Sequence, residues 1–149
     1  MRTLADSGRY CLIIRLDRRV QLKVGRLGPV EFRPGIYVYT GSAAGGLRAR
    51  VARHQRKHKR KHWHIDHLLA SQHASITTLI LVTDMKMSEC EINQRVMRLA
   101  GGNIPAFGSS DCPSGCGSHL AYFGSESKLV RLFLAAAKSA PGWKVVELT

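Results

Sequence analysis

The sequence of 149 residues predicts one α/β domain built on a small, mostly antiparallel sheet. Two nearly continuous apolar runs, YCLIIRL at residues 10–16 and ITTLILV at residues 76–82, are typical of strands that are covered on both faces. Turns rich in glycine, proline and serine separate these runs from stretches with helical periodicity. No linker or internal repeat interrupts the chain, so residues 1–149 are interpreted as a single domain.

The first half of the chain predicts a hairpin, a strand and two helices. Apolar and polar residues alternate in residues 20–24, and the turn RLGP pairs this segment with residues 30–33 as a hairpin. Residues 36–40 form the next strand. A glycine pair then precedes a helix over residues 47–59, and WHIDHLLAS at residues 63–71 predicts a short second helix.

The second half predicts a buried strand followed by a helix, a loop and three smaller elements. Ser88 is a favourable N-cap for a helix that runs to about residue 99. Residues 101–118 are rich in glycine, serine and proline, which indicates a loop. The remaining predicted elements are a strand at residues 120–123, a helix from Ser125 to residue 138 and an edge strand at residues 143–148.

The charge of the chain is its strongest bulk feature. Twenty-three Lys and Arg residues against ten Asp and Glu residues give a formal net charge of +13 with histidine neutral. Such a field attracts polyanions, and the charge is concentrated rather than spread. We therefore expect DNA as a partner; charge alone does not separate DNA from RNA. An anionic membrane surface is disfavoured, because no basic helix carries a broad aromatic face.

The sequence predicts a cytoplasmic protein. No stretch approaches the roughly 18 apolar residues of a membrane span. The short apolar run near the N-terminus follows an acidic residue, unlike a signal peptide. Cys11 lies in an apolar strand and Cys90 in a predicted helix, so both are expected to be reduced.

Two tyrosines, Tyr37 and Tyr39, lie two residues apart on a predicted strand, so their rings share one face. Two rings on one face serve either core packing or chemistry. The segment YTGSA, followed by Leu47-x-x-Arg50 and His54, resembles the second half of the GIY-YIG nuclease signature. This resemblance implies an α+β fold with three antiparallel core strands, an inserted hairpin and flanking helices.

The best candidate for the first half of the GIY-YIG signature is Gly8-Arg9-Tyr10. In the GIY-YIG family the two tripeptides lie on different, neighbouring strands. The GIY at residues 35–37 shares a strand with the YTG at residues 39–41, so it cannot be the first half. The inserted hairpin accounts for the long separation between Tyr10 and Tyr39.

The ordered motifs narrow the resemblance to an uncharacterised GIY-YIG-like branch, which is found alone or fused to endonuclease III-type DNA glycosylases. These motifs are GxYxYxGSA, RxxRH, HWHIDHL, an ECE helix, and FGSSDC followed by SHLxYF. They extend over about residues 8–123. The resemblance implies a DNA nuclease with a functional link to DNA glycosylases and DNA repair.

Hydrolysis of a phosphodiester requires an activated water, a cation near the developing charge and usually a metal ion. Arg50 is the strongest candidate for the cation because its planar fork matches phosphate oxygens, although a solvated helix face is the alternative. The resemblance implies that Tyr10 and Tyr39 orient or deprotonate the water. His54 is the best proton carrier among the histidines of this region.

The resemblance also implies one divalent metal ion, Mg²⁺ or Mn²⁺, held by a glutamate on a helix. Glu89 is our candidate, and Asp66 or Asp111 could substitute for it. The family glutamate lies deeper in its helix. The helix dipole alone also favours acidic residues in a first turn, which is a structural reason for Glu89 to be there. If no acid holds a metal, the chain is a non-catalytic nucleic-acid-binding module of the same fold.

A second group of residues is predicted to contact the nucleic-acid backbone. The glycine-rich turn after the tyrosine strand either holds a phosphate with its N–H groups or forms an ordinary tight turn. Downstream, Arg50, His54, His58 and His62 recur every fourth residue and share one face if the helix extends that far. The predicted nucleic-acid contacts are Gly41, Ser42, Arg53, Lys57, Lys59, Arg60 and Lys61.

Two further motifs contain metal-ligand residue types. HWHIDH fits no standard zinc spacing, and Cys112-x3-Cys116-x2-His119 offers three soft ligands without an evident fourth. Zinc is therefore not expected, and reduced thiols are favoured over a local disulfide. From the resemblance, the residues that border the active face are His64, Asp66, Ser110, Asp111 and His119.

Overall fold

The computed structural model describes residues 7–83, 86–109, 112, 115–125 and 127–148. Across these residues the chain forms eight strands and four α-helices, which are labelled in chain order. The strands are β1 (Gly8–Leu16), β2 (Val20–Lys23), β3 (Pro29–Phe32), β4 (Gly35–Ala43), β5 (Ala74–Val82), β6 (Gly102–Asn103), β7 (Leu120–Gly124) and β8 (Trp143–Glu147). The helices are α1 (Leu47–Gln55), α2 (His64–Leu69), α3 (Glu89–Leu99) and α4 (Ser127–Ser139).

Six of these strands form one antiparallel sheet in the order β6-β7-β4-β1-β5-β8. The central strand β1 pairs along its length with β4 on one side and β5 on the other. The predicted α+β fold with antiparallel core strands and flanking helices is confirmed. A central strand covered on both faces needs apolar residues on both faces, which explains the continuous apolar run in β1.

Alternate residues of β1 supply two separate cores. Tyr10, Leu12 and Ile14 pack on the side of α1, α2 and the β2–β3 hairpin, whereas Cys11 and Ile13 pack on the side of α3 and α4. Shifting β1 by one residue would exchange these two sets and turn each side chain to the wrong layer. Burial on both sides therefore fixes the register that places Tyr10.

The hairpin of β2 and β3 forms a separate two-stranded sheet, as predicted. Phe32 at its end is fully buried and packs edge-on against the rings of Tyr37 and Phe107. The hairpin thus covers one end of the first core. It separates β1 from β4 in sequence without entering the main sheet.

Helix α1 ends at Gln55, earlier than the predicted end at residue 59. Arg56 already has an extended backbone, with φ of −76° and ψ of 130°. The ammonium group of Lys59 folds back and donates hydrogen bonds to three backbone carbonyl oxygens at this end of the helix. The arrangement of His58 and His62 on the same helix face, which required a longer helix, is therefore not formed.

The remaining elements lie close to their predicted positions. Ser88 is the N-cap of α3, and its hydroxyl accepts a hydrogen bond from the backbone N–H of Glu91. The predicted loop at residues 101–118 contains the short strand β6. In the part of the chain that the structure describes, no helix has the length and apolar character needed to cross a membrane.

Candidate active site

A cavity of about 420 Å³ opens beside β1 and β4. Its walls come from both strands, from α1, from the beginnings of α2 and α3, and from the loop that precedes β7. The side chains that line it include Tyr10, Tyr39, Ser42, Arg50, Glu89 and His119. Residues that are distant in sequence therefore meet around one space large enough for a small polar ligand group.

Tyr10 reaches the cavity across Gly41 on the neighbouring strand. The two residues are partners in the register of β1 and β4. A Cβ atom at position 41 would lie only 2.6 Å from the hydroxyl oxygen of Tyr10. Glycine is therefore required here because the tyrosine ring lies directly over the backbone of β4.

The hydroxyl group of Tyr10 forms a hydrogen bond of 2.8 Å with Nε2 of His54. Both side chains are almost completely buried. Burial raises the pKa of Tyr10 to about 12. Burial, together with the positive charge of Lys59, lowers the pKa of His54 to about 4. At neutral pH both groups are uncharged, so His54 contributes a neutral imidazole to the cavity wall.

Tyr39 contributes a second phenol from β4. Its ring lies edge-on to the ring of His54 and to that of Phe107. Burial raises the pKa of Tyr39 well above its usual range, and the neighbouring Tyr10 adds to this effect. Tyr39 therefore keeps its proton at neutral pH.

Arg50 supplies positive charge to the cavity from α1. Its Nη1 donates a hydrogen bond of 2.9 Å to the backbone carbonyl oxygen of Ser42. Its guanidinium also lies over the ring of Trp63, 4.5 Å from the ring centre. These contacts fix the plane of a group that carries five N–H donors at the edge of the cavity.

Glu89 enters the cavity from the first turn of α3, where the helix dipole favours a carboxylate. Its Oε1 accepts a hydrogen bond of 2.5 Å from the hydroxyl of Ser42, and its Oε2 lies 2.7 Å from Nδ1 of His119. Burial alone would raise the pKa of Glu89, but the hydrogen bonds from His119 and Ser42 outweigh it and lower the pKa. The carboxylate is therefore ionised at neutral pH, as a metal ligand must be.

Several predicted nucleic-acid contacts bond to the protein itself. The guanidinium of Arg53 makes two hydrogen bonds to the carboxylate of Asp66, of 2.8 and 2.9 Å. The ammonium group of Lys57 donates to backbone carbonyl oxygens at the end of α2 and the start of β5. With Lys59 at the end of α1, these groups hold the basic segment in place. The exposed basic residues of this segment include Arg60 and Lys61.

Residues of the HWHIDH motif support the wall of the cavity through hydrogen bonds to its backbone. Asp66 is completely buried and also accepts hydrogen bonds from the backbone N–H groups of His62 and Trp63. His64 accepts a hydrogen bond of 2.8 Å from the backbone N–H of Gly108 through its Nδ1. Both side chains thus position neighbouring wall residues. Ser110 and Asp111, predicted to border the active face, lie outside the described residues.

Three cysteines gather with His119 beside the cavity. One potential ligand atom from each of Cys90, Cys112, Cys116 and His119 lies within 4.8 Å of the others. Sequence analysis identified three of these residues and missed Cys90, which comes from the first turn of α3. Three thiols and one imidazole form a ligand set that suits zinc better than magnesium, so these residues could hold a soft metal ion.

The fold and the cavity together define an α+β domain with tyrosine, arginine and glutamate side chains around a cavity beside its sheet. Over residues 9–141 the chain matches the family described as a domain of unknown function, DUF123, and it belongs to that family. It matches no curated protein and no solved structure. The family description states no activity.

Proposed function

We propose that this chain is a metal-dependent nuclease of the GIY-YIG type that hydrolyses DNA phosphodiester bonds. The observation that carries the proposal is that Glu89 shares one cavity with Tyr10, Tyr39 and Arg50. These are the residue types that the resemblance assigns to the metal, the water and the phosphate. They come from four separate elements, so their convergence does not follow from their order in the sequence.

In this proposal Arg50 binds the phosphate group that is attacked. Its guanidinium matches phosphate oxygens with paired N–H donors. Stacking on Trp63 and the hydrogen bond to Ser42 hold it before the substrate arrives. A positioned cation stabilises the negative charge that develops in the transition state without reorganisation at that moment.

Tyr10 and Tyr39 orient the attacking water. Both phenols are protonated at neutral pH, because burial raises the pKa of each. When the hydroxyl of Tyr10 donates a hydrogen bond to Nε2 of His54, its oxygen can accept a hydrogen bond from the water. In this proposal the neutral imidazole of His54, 2.8 Å from this hydroxyl, accepts the phenol proton as the phenol oxygen takes the proton of the water.

The residues of the cavity fit a magnesium ion of the kind used in phosphoryl chemistry. Mg²⁺ prefers oxygen ligands and usually keeps several waters beside one or two carboxylates. Glu89 is ionised, and each of its oxygens can accept more than the single hydrogen bond it has with Ser42 or His119. When bound, such an ion would offset negative charge on the leaving oxygen.

In this proposal the nuclease acts in the cytoplasm, and its resemblance to the GIY-YIG-like branch supports a link to DNA glycosylases and to the repair of damaged or branched DNA. Removal of a damaged base leaves a backbone that must still be cut, which a nuclease of this type would do. The net charge of +13 supports a polyanionic substrate. RNA is an alternative polyanion, so both nucleic acids belong in the test.

The experiment compares two arginine variants on α1. The purified chain is incubated with duplex, nicked and flapped DNA, and with matched RNA, in the presence of Mg²⁺ or Mn²⁺. We expect metal-dependent cleavage of DNA by the wild-type chain and a loss of about 100-fold in Arg50→Ala. Arg48→Ala removes the same charge from an exposed position of the helix and should reduce cleavage by less than about tenfold.

Cleavage that survives Arg50→Ala would overturn the proposed role of Arg50. Equal losses of cleavage activity in the two variants would show that the positive charge of the helix attracts the substrate in general. Arg50 would then have no special position at the phosphate. Circular dichroism of both variants checks that α1 remains folded.

A second candidate function is a non-catalytic nucleic-acid-binding module of the same fold. The observation that favours it is the carboxylate of Glu89, both of whose oxygens already have a protein donor. In that case Glu89 would position His119 rather than hold a metal ion. This module would bind DNA in a salt-dependent manner and cut no substrate with either ion.

A further inference from the structure

We propose that Cys90, Cys112, Cys116 and His119 bind one Zn²⁺ ion that holds the loop before β7 against α3. Their potential ligand atoms lie within 4.8 Å of one another. In a tetrahedral site with Zn–S bonds of about 2.3 Å, neighbouring sulfur atoms lie about 3.8 Å apart. The four side chains therefore need only small adjustments to surround one ion.

The orientation of His119 identifies its ligand atom. Its Nδ1 lies 2.7 Å from Oε2 of Glu89 and 3.3 Å from the carbonyl oxygen of Thr40. Its Nε2 is buried and has no hydrogen-bond partner among the described residues. A buried nitrogen without a partner is costly, and a metal ion beside three sulfur atoms would satisfy it.

The ligand chemistry separates this site from the magnesium site of the proposed function. Zn²⁺ is held by thiolates and imidazoles in closed tetrahedral sites, whereas Mg²⁺ requires oxygen ligands. The three cysteines and Nε2 of His119 form a complete set of four soft ligands. No open position remains for a substrate, so the zinc ion has a structural role.

A disulfide between Cys90 and Cys112 is the competing explanation, because their sulfur atoms lie 3.0 Å apart. That bond would account for two of the four groups. It would leave Cys116 beside an oxidised pair and Nε2 of His119 without a partner. One zinc ion uses all four groups, so the ion explains more of the arrangement than the disulfide does.

The position of the four ligands gives the ion two structural effects. Cys90 lies in the first turn of α3, whereas the other three ligands lie in the segment that leads into β7. An ion shared between them ties a segment with little regular structure to the helix that carries Glu89. It also fixes the ring of His119 so that Nδ1–H donates to Glu89, as metal-bound histidines commonly do with carboxylates.

The test measures metal content and does not depend on nuclease activity. The full-length chain is produced with zinc in the medium, purified under reducing conditions and analysed by elemental mass spectrometry. We expect one zinc ion per chain in the wild type and less than about a tenth of that amount in Cys116→Ser. Cys11→Ala is the matched control, since it removes a cysteine that packs in the second core.

A second measurement keeps the proposal testable if a variant folds poorly. Co²⁺ exchanged into the wild-type chain should give the visible absorption bands of a tetrahedral thiolate site, and Cys116→Ser should weaken its sulfur-to-cobalt band. Removal of zinc by a chelator should lower the melting temperature of the wild-type chain more than that of Cys116→Ser.

Three results would contradict the site itself. They are a wild-type chain that contains no zinc while its four thiols are reduced, an intact mass lower by two hydrogens in protein purified without reductant, which reveals a disulfide, and equal zinc loss in Cys11→Ala and Cys116→Ser. Iron in place of zinc would also contradict the assignment of the metal.

Discussion

At the scale of single residues, His54 is the buried titratable group with the clearest consequence for stability. Its pKa falls from about 6.5 in an unfolded chain to about 4 in the folded chain. Above about pH 6.5 the imidazole is neutral in both states. As the pH falls below that value, the unfolded chain binds a proton that the folded chain excludes, so stability is lost until about pH 4.

We therefore expect the free energy of unfolding of the wild-type chain to fall by about 2 kcal/mol more than that of His54→Gln between about pH 7 and pH 5. Urea denaturation at a series of pH values, followed by circular dichroism, measures this difference. His58→Gln, which removes an exposed histidine, should keep the pH dependence of the wild type. Parallel curves for the wild type and His54→Gln would contradict the prediction.

The two glutamates at the start of α3 show why sequence could not settle the choice of metal ligand. Residues two apart on a helix point in nearly opposite directions. Glu89 turns into the cavity, whereas Glu91 accepts a hydrogen bond from the backbone N–H of Ser88 and completes a capping box. The sequence pattern predicts the N-cap at Ser88, but only the direction of the helix shows which glutamate faces Tyr10.

At the scale of elements, the basic segment between α1 and α2 contains lysines with different roles. Lys57 donates to the backbone carbonyl oxygens of Leu69, Ser71 and Ala74, which lie at the end of α2 and the start of β5. Lysines at such positions satisfy carbonyl groups that the helix leaves unpaired. Lys61 lies in the same segment and is exposed.

We expect Lys57→Ala to lower the free energy of unfolding by about 1–2 kcal/mol, because three carbonyl oxygens, two of them in partly buried hydrogen bonds, lose a charged donor. Lys61→Ala should change it by less than about 0.5 kcal/mol. Urea denaturation of both variants at neutral pH gives the two values. A Lys57→Ala variant as stable as the wild type would show that water replaces the ammonium group without loss.

The elements also show where reading the sequence succeeds and where it fails. The strands β1 and β5 and the N-cap of α3 were predictable, because apolar runs and a serine before a helix act locally. The end of α1 was not predictable, since it depends on how Lys59 folds back onto the helix. Cys90 was missed as a fourth ligand because 22 residues separate it from Cys112.

At the scale of the whole molecule, the positive charge predicts a strong salt dependence for the proposed binding of nucleic acid. A net charge of +13 attracts any polyanion, and binding releases counterions from the phosphate backbone. Arg53 and Lys57 already donate hydrogen bonds within the protein, so fewer of their N–H donors remain for a phosphate. The exposed pair Arg60 and Lys61 is the better candidate for these contacts.

We expect the affinity for duplex DNA to fall steeply as salt increases. The slope of log affinity against log salt should become shallower by about 0.9 for each phosphate contact that is removed. The double variant Arg60→Ala/Lys61→Ala tests this by fluorescence anisotropy at several salt concentrations. A double variant with the wild-type slope would place the DNA on another surface of the molecule.

The order of strands in the sheet has a consequence for how the chain is made. β1 is the first of the six strands to leave the ribosome, yet it occupies the centre of the sheet. One of its two neighbours, β5, is synthesised only after residue 73. Until then part of the apolar surface of β1 stays exposed to water. The nascent chain therefore has an aggregation-prone segment that a chaperone can bind.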